Sequence, residues 1–243
     1  MLQILFEDNH LITVNKMASE IVQGDKTGDI SLTEKVKNYI KEKYNKPNNV
    51  FLGLVHRLDR PVSGAIVFAK TSKALSRMNN LFRNAKIEKT YWAIVKNSPP
   101  KKSDFLVNFL LKNEQQNKSY IVEKSSKAKE AKLEYTVKAQ IEKFYLLEVK
   151  LHSGRHHQIR CQLAAINCPV KGDLKYGFDV PNSDGNISLH SRKISFLHPV
   201  SKEQICIIAP VPNEKLWLDF ENKITNENTS LCHTALDAVS SVI

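Results

Sequence analysis

A single carboxylate set between two guanidinium groups is the first place in this chain where chemistry is possible. Asp59 follows Arg57 by two residues and adjoins Arg60 in Leu54-Val55-His56-Arg57-Leu58-Asp59-Arg60-Pro61-Val62-Ser63-Gly64. Cations that close favour the ionised form, which suits a nucleophile or an electrostatic stabiliser. The stretch also fits a turn-forming Asp satisfied by local backbone donors. A second cluster, His152-Ser153-Gly154-Arg155-His156-His157-Gln158-Ile159-Arg160, ends a strand and opens a helix among cationic and polar side chains. Unpaired N–H groups at a helix start attract phosphate; a polar helix start packed beneath Ile159 and Leu163 is the plainer alternative. Arg160 lies one helical turn beyond His156 and can pair with Asp59 if the two segments meet. The third stretch is Ile87-Glu88-Lys89-Thr90-Tyr91-Trp92-Ala93-Ile94-Val95, in which Tyr91 opens a strand. Strand tyrosines are commonly core or rim residues, yet an aromatic ring is also what holds a flipped base.

Other chemistries find less support. Cys161, Cys168, Cys206 and Cys232 contain no Cys-x-x-Cys pair, so neither a zinc site nor a secreted disulfide scaffold is expected. Cys161 and Cys206 sit in apolar patterns and read as small core residues. On a helix the adjacent His156 and His157 point in different directions and cannot serve one metal as an i, i+4 pair would. No metal is expected.

The 243 residues carry 36 Lys+Arg against 25 Asp+Glu, a formal net charge of +11. That sign fits a polyanionic partner. The cations divide unevenly into 29 Lys and seven Arg, with every Arg between Arg57 and Arg192. A Lys-rich surface is often merely solubilising, whereas clustered Arg suits planar, bidentate recognition. The longest apolar runs are too short to span a bilayer, and the N-terminus lacks the basic-then-apolar pattern of a signal peptide. A soluble, cytoplasmic protein is expected.

Residues 1–15 read as a β-hairpin around Glu7-Asp8-Asn9-His10. Ser31 with Glu34 forms a capping box for a helix whose Leu32, Val36, Tyr39 and Ile40 share one face. Gly64–Ala69 is a buried-strand candidate, followed by a helix from Thr71 or Ser72 to about Phe82. Tyr91–Val95 is a strand. The Lys-rich region 101–143 reads as exposed strands and loops, with alternation over Glu134–Val137 and Tyr145–Leu151. A helix is expected over His156–Ile166 and late strands near Ile187–Leu189 and Gln204–Ala209. This order predicts an α+β fold, a single domain with a central mixed, largely antiparallel β-sheet flanked by helices and loops. Residues 1–222 form that domain, and 223–243 read as a C-terminal tail, disordered or a loosely attached helix.

Together the three stretches resemble the RluA family of RNA pseudouridine synthases. His56-Arg57-Leu58-Asp59-Arg60-x-x-Ser63-Gly64 is similar to the family's catalytic motif, and Lys89-Thr90-Tyr91-x-Ala93 to its Lys-x-Tyr motif. Gly154-Arg155-x-His157-Gln158-Ile159-Arg160, with Pro169-Val170-x-Gly172-Asp173-x-x-Tyr176-Gly177, resembles the third. Ile4–Asp8 through Asn15-Lys16, and Leu189-His190-Ser191 through Phe196-x-His198-Pro199, resemble its first strand pair and closing strand. The likeness covers roughly residues 1–220. Val62 stands where the family often has Thr, and Met17 where it often has Pro; neither removes a group the chemistry needs. No S4-like RNA-binding domain of the kind some relatives carry is expected before Met1, so RNA recognition is expected to fall to the catalytic domain.

The resemblance implies the pseudouridine synthase fold and isomerisation of a uridine within a structured RNA, transfer or ribosomal. It implies no cofactor, in keeping with the lack of a Gly-x-Gly-x-x-Gly loop. Asp59 is implied as the catalytic carboxylate, with Arg160 paired to it and Tyr91 stacked on the flipped uracil, where it accepts the C5 proton late in the reaction. Arg57 would enter the RNA and keep the nucleotide extruded, while Arg60, Arg155, His157 and Gln158 are expected to bind RNA. A monomer is expected. Two other classes compete: a non-catalytic RNA-binding or ribosome-assembly factor on the same fold, and a glycosidase, for which no second carboxylate can be located near Asp59.

Overall fold

The computed structural model describes residues 2–24 and 28–226. Strands β1 (Gln3–Glu7) and β2 (Leu11–Lys16) form the N-terminal hairpin, whose turn is closed by the Asp8 carboxylate accepting from the His10 and Leu11 amides at 2.7 and 2.6 Å. Helix α1 (Leu32–Lys43) begins at the Ser31–Glu34 capping box and buries Leu32, Val36 and Ile40. After the short β3 (Gly53–Leu54), β4 (Ser63–Ala69) is buried at every position, as a strand covered on both faces must be. Helix α2 (Ser72–Arg83) starts from Thr71, which caps it with its side chain.

Then follow β5 (Glu88–Val95), β6 (Ser103–Asn113), β7 (Lys118–Val122), β8 (Lys129–Ile141) and β9 (Phe144–Leu151). Helix α3 (Gln158–Ala165), a 3-10 turn (Leu174–Tyr176), β10 (Leu189–Leu197), β11 (Gln204–Ile208) and a helix over 215–226, α4, complete the described chain. The strands form one sheet in the order β1-β2-β4-β10-β5-β9-β8-β6-β7, with β11 beside β10 and β3 beside β4. All pairings are antiparallel except β4 with β10, so the sheet is mixed and largely antiparallel as expected.

That parallel contact matters for function. Gly64 of β4 pairs with Ser191 of β10, and Ser191 pairs in turn with Tyr91 of β5. The three residues form a row that brings the turn before β4 towards Tyr91. Gly64 has φ +113°, and a Cβ there would lie 2.4 Å from the Ser191 carbonyl oxygen, so only glycine permits this approach. One apolar layer joins α1 and α3 to one face of the sheet. On the other side α2 packs with β11, and Trp217 and Phe220 of α4 cover Trp92 and Ile94.

Four expectations are corrected. Helix α3 starts at Gln158 rather than His156, because His157 is left-handed at φ 51° and cannot continue a helix. The late strand begins at Leu189 and runs on to Leu197, since β5 on one side supplies ladder partners for polar Ser191 and Ser195, and on the other β4 pairs Ser191 and β11 pairs Ser195. Cys206 is exposed, because the alternation of β11 buries Ile207 instead. Helix α4 crosses the boundary expected at 222/223, with Ile224 packed on the same cluster as Phe220; the remainder of the expected tail, 227–243, lies outside the described residues. Among the described residues no helix is long and apolar enough to cross a membrane.

Candidate active site

A cavity of about 410 Å³ opens where the Asp59 turn, β5 and the start of α3 converge. Asp59, Tyr91, Arg160, Arg57, Arg155, His157 and Gln158 all line it. Arg60 does not, because its guanidinium is turned to Asp29 at 2.7 Å.

The centre is a network around Arg160. Its Nη1 donates to Asp59 Oδ2 at 3.2 Å, the pairing expected from sequence. Its Nε and Nη2 form a bidentate pair with Asp173, at 2.6 and 2.8 Å to the two carboxylate oxygens. Asp173 is 1% exposed and Arg160 5%, so these charges meet away from water. The Asp173 carboxyl and the charge on Asp59 raise the Arg160 pKa further against the cost of burial. A guanidinium held on one edge by Asp173 has a fixed plane, and the edge it turns to Asp59 fixes that carboxylate in turn. Asp59 Oδ1 accepts no hydrogen bond among the described residues, and its side chain keeps 31% exposure at the cavity.

His157 completes the network. Its Nε2 lies 3.0 Å from Arg160 Nη1 and its Nδ1 3.1 Å from the Tyr176 hydroxyl. The Tyr176 hydroxyl donates to the Ser119 carbonyl at 3.1 Å and accepts from the Ser119 amide at 2.9 Å. These bonds are all met when Nδ1 carries the proton and Nε2 offers its lone pair to Arg160. Burial, with Arg160 and His156 beside it, pushes the His157 pKa down to about 2. His157 is therefore a neutral, buried partner of Arg160 at the cavity wall. Gln158, 3% exposed, spends its amide on Ser153, Arg155, Lys132 and Gln162. His156 and His157, expected to diverge, stack with ring centroids 3.8 Å apart because the helix begins only after them.

Tyr91 is 7% exposed, and burial pushes its pKa up to about 12, against the Ser191 side chain, which pulls it down. At neutral pH its side chain is a neutral phenol. Arg57 and Arg155 are exposed, and the Arg155 Nε donates to the Glu130 carbonyl at 2.9 Å.

Sequence reasoning missed two charges that organise the site. Asp173 lay in a quoted motif without a role, and only the fold brings it against α3. Lys16 is fully buried and donates to the carbonyls of Met17, Arg60 and Val62 at 3.0, 3.0 and 2.6 Å, tying β2 to the chain just after Asp59 on both sides of Pro61. Its signal was available: Ile12, Val14 and Lys16 share one face of a strand whose other members are core.

Residues 10–165 match the family model described as RNA pseudouridylate synthase. Ribosomal large subunit pseudouridine synthase C of Buchnera aphidicola subsp. Baizongia pistaciae is 32% identical over 215 residues, 86% of this chain and 66% of that protein. The same-named protein of Buchnera aphidicola subsp. Acyrthosiphon pisum is 31% identical over 90% of this chain and 69% of its own length. The chain thus spans about two thirds of these relatives. tRNA pseudouridine synthase C of Vibrio cholerae serotype O1 is 30% identical over 89% of this chain and 93% of that protein. In fold, human RNA Pseudouridylate Synthase Domain Containing 4 superposes with a TM-score of 0.75 over 92% of this chain and 93% of that one, at 21% identity.

Proposed function

The chain belongs to the RNA pseudouridylate synthase family, and from that premise we propose that it isomerises uridine in a structured RNA to pseudouridine, with Asp59 as the reacting carboxylate. The RNA is transfer or ribosomal, the two classes for which the compared relatives are named. The protein acts in the cytoplasm as a monomer and draws on no cofactor. The reaction conserves every atom. The N1–C1′ bond breaks, the held uracil turns, C5 bonds to C1′, and the proton lost from C5 is balanced by one gained at N1.

The observation that carries this reading is the Asp59–Arg160–Asp173 arrangement at the cavity. Arg160 binds Asp59 through one oxygen and leaves Oδ1 for the substrate, while Asp173 keeps Arg160 from following the substrate instead. A reacting group so held is presented in one orientation, which is one way a site lowers a barrier. Tyr91 forms an apolar wall with a neutral hydroxyl, which favours stacking on the base over taking up its proton. Arg57 and Arg155, exposed at the cavity, are placed to meet the extruded nucleotide and its phosphates.

Asp59→Asn tests the reading. Its size and fold are kept, Arg160 retains Asp173, and RNA binding should stay within a few-fold of the parent. Formation of pseudouridine, read by carbodiimide mapping of incubated RNA, should vanish. Persistent pseudouridine formation by purified Asp59→Asn would overturn the assignment. In the same assay Tyr91→Phe is expected to keep most turnover.

A further inference from the structure

Lys89 is a charged residue at the cavity to which the mechanism above gives no work. It stands two residues before Tyr91 on β5, so the two side chains leave the same face of the strand, about 7 Å apart along it. Both line the cavity that holds Asp59. The Lys89 ammonium is partly buried and has no carboxylate or carbonyl partner among the described residues. Its recorded neighbours are the Phe82 ring at 5.8 Å, the His56 imidazole, and Gly154, where an added Cβ would lie 4.0 Å from Nζ. Neither ring neutralises it. His56 accepts the Val67 amide at Nε2 and is held neutral by burial and by Lys89 itself, its pKa pushed down to about 3. Burial lowers the Lys89 pKa as well, so the fold bears a cost to keep this charge where it is.

Arg160 cannot do the work of a cation towards the substrate, since two carboxylates already occupy it. Lys89 is not committed in that way. When N1–C1′ breaks, the bonding electron pair stays with the uracil and spreads over O2 and O4. The pair is used again when C5 bonds to C1′, after which the C5 proton leaves and N1 gains one. Between those events the base carries negative charge inside a partly desolvated cavity, where a positioned ammonium acts far more strongly than in water. We propose that Lys89 is a further catalytic residue, whose ammonium stabilises the negative charge on the uracil oxygens in the cavity that Asp59 also lines. The proposal rests on the isomerase reading and adds to it the group that opposes the carboxylate.

Lys89→Met, in the full chain and assayed on unmodified transfer RNA and large-subunit ribosomal RNA transcripts, is the test. It should lower kcat about 100-fold or more, as removal of one charge-stabilising donor does elsewhere, with KM within about three-fold of the parent. The slope of log(kcat/KM) against log[salt] should not change, and Tm should hold or rise because an uncompensated buried charge is gone. Lys89→Arg should recover part of the loss, and serves as the readout if the Met variant folds poorly. A kcat within three-fold of the parent would overturn the proposal. So would a loss confined to KM with a salt slope shallower by roughly 0.7–0.9, the mark of a phosphate contact. Asp59→Asn is measured in parallel. If the parent forms no pseudouridine on either class of transcript, the isomerase reading itself fails; if the parent is active and Asp59→Asn inactive while Lys89→Met is normal, only the role of Lys89 falls.

Discussion

Replacing Lys16 by Met separates what the buried ammonium does for the fold from what it does for the Asp59 turn. Lys16 ends β2 with no exposure and gives three donors to the carbonyls of Met17, Arg60 and Val62. Burial pushes its pKa down to about 8, with Glu20 and Asp59 holding it up. Against the ordinary 10.5 that displacement corresponds to about 3 kcal/mol spent on keeping the charge buried at neutral pH. Lys16→Met recovers that cost and loses the three bonds. The Met17 carbonyl can turn to water, and the Arg60 carbonyl retains the Ser19 amide at 3.0 Å. The Val62 carbonyl loses its ammonium donor, at a cost of about 1–3 kcal/mol. The two sides nearly cancel, so Tm should move by only a few degrees.

The turn fares differently, because nothing replaces the bridge between β2 and residues on both sides of Pro61. A relaxation of the order of 1 Å at Asp59 is worth about 100-fold in rate. The expected result is kcat down 10- to 100-fold with RNA affinity and Tm nearly unchanged, measured by single-turnover conversion and thermal unfolding. The pH dependence supplies a second arm. Between about pH 8 and 10.5 the unfolded chain binds a proton at Lys16 that the folded chain has released, so this group makes stability rise through that window. Activity should fall over the same window as the ammonium loses a donor. Opposite trends that both vanish in Lys16→Met identify the clamp. A Lys16→Met enzyme with parental kcat would refute the reasoning, and a Tm collapse would show the ammonium to be a core element instead.

Asp173→Asn leaves the buried Arg160 without its bidentate partner and should cost about 3–5 kcal/mol, read as a lower denaturant midpoint, together with a fall in kcat at unchanged RNA affinity. Gly64→Ala drives a Cβ to 2.4 Å from the Ser191 carbonyl at a φ of +113°; a loss of about 3 kcal/mol or more is expected, a Tm lower by about 6–12 °C for a chain of this size, and an unchanged Tm would contradict the row Gly64–Ser191–Tyr91. His157 and His56 have pKa values pushed down to about 2 and about 3 from the ordinary 6.5. The unfolded chain takes up those protons first as pH falls below 6.5, so stability drops with acidification, and His157→Gln should flatten that slope between pH 6 and 4 in urea titrations.

How much of this was legible beforehand follows from where each interaction is written. Local signals carried over well: the Ser31–Glu34 box, the Thr71 cap, the unbroken apolar run of β4 and the alternation of β8 and β9 each depend on residues within a few positions. The pairing of Arg160 with Asp59 was only conditional from the residues, on the two segments meeting, and was definite only as what the family resemblance implied. What escaped depends on approach between distant segments. The left-handed residue at His157 sets its imidazole against the Tyr176 hydroxyl, and no window around residue 157 contains Tyr176. Gln158 is polar and lies among cations, and only the fold sets Lys132 and Gln162 around its amide. Asp173 reaches Arg160 only because the segment after α3 is tied to β5 by the Val95–Val170 bridge and the bond from the Lys171 amide to the Ile94 carbonyl.

The net charge of +11 says little about this site until the cations are sorted by what holds them. Arg57 and Arg155 are exposed and can follow a phosphate backbone. Arg160 is buried and committed to two carboxylates, Lys16 is buried and committed to three carbonyls, and Lys89 is partly buried and committed to neither. Burial is costly for all three, but the costs are offset in different ways. Arg160 and Lys16 recover theirs within the folded chain, so their work is to hold Asp59 in place. Lys89 recovers its cost only when something negative enters the cavity. Arg160 and Lys16 therefore set the geometry before substrate arrives, and the charge that remains to be answered is the one that the reaction itself creates.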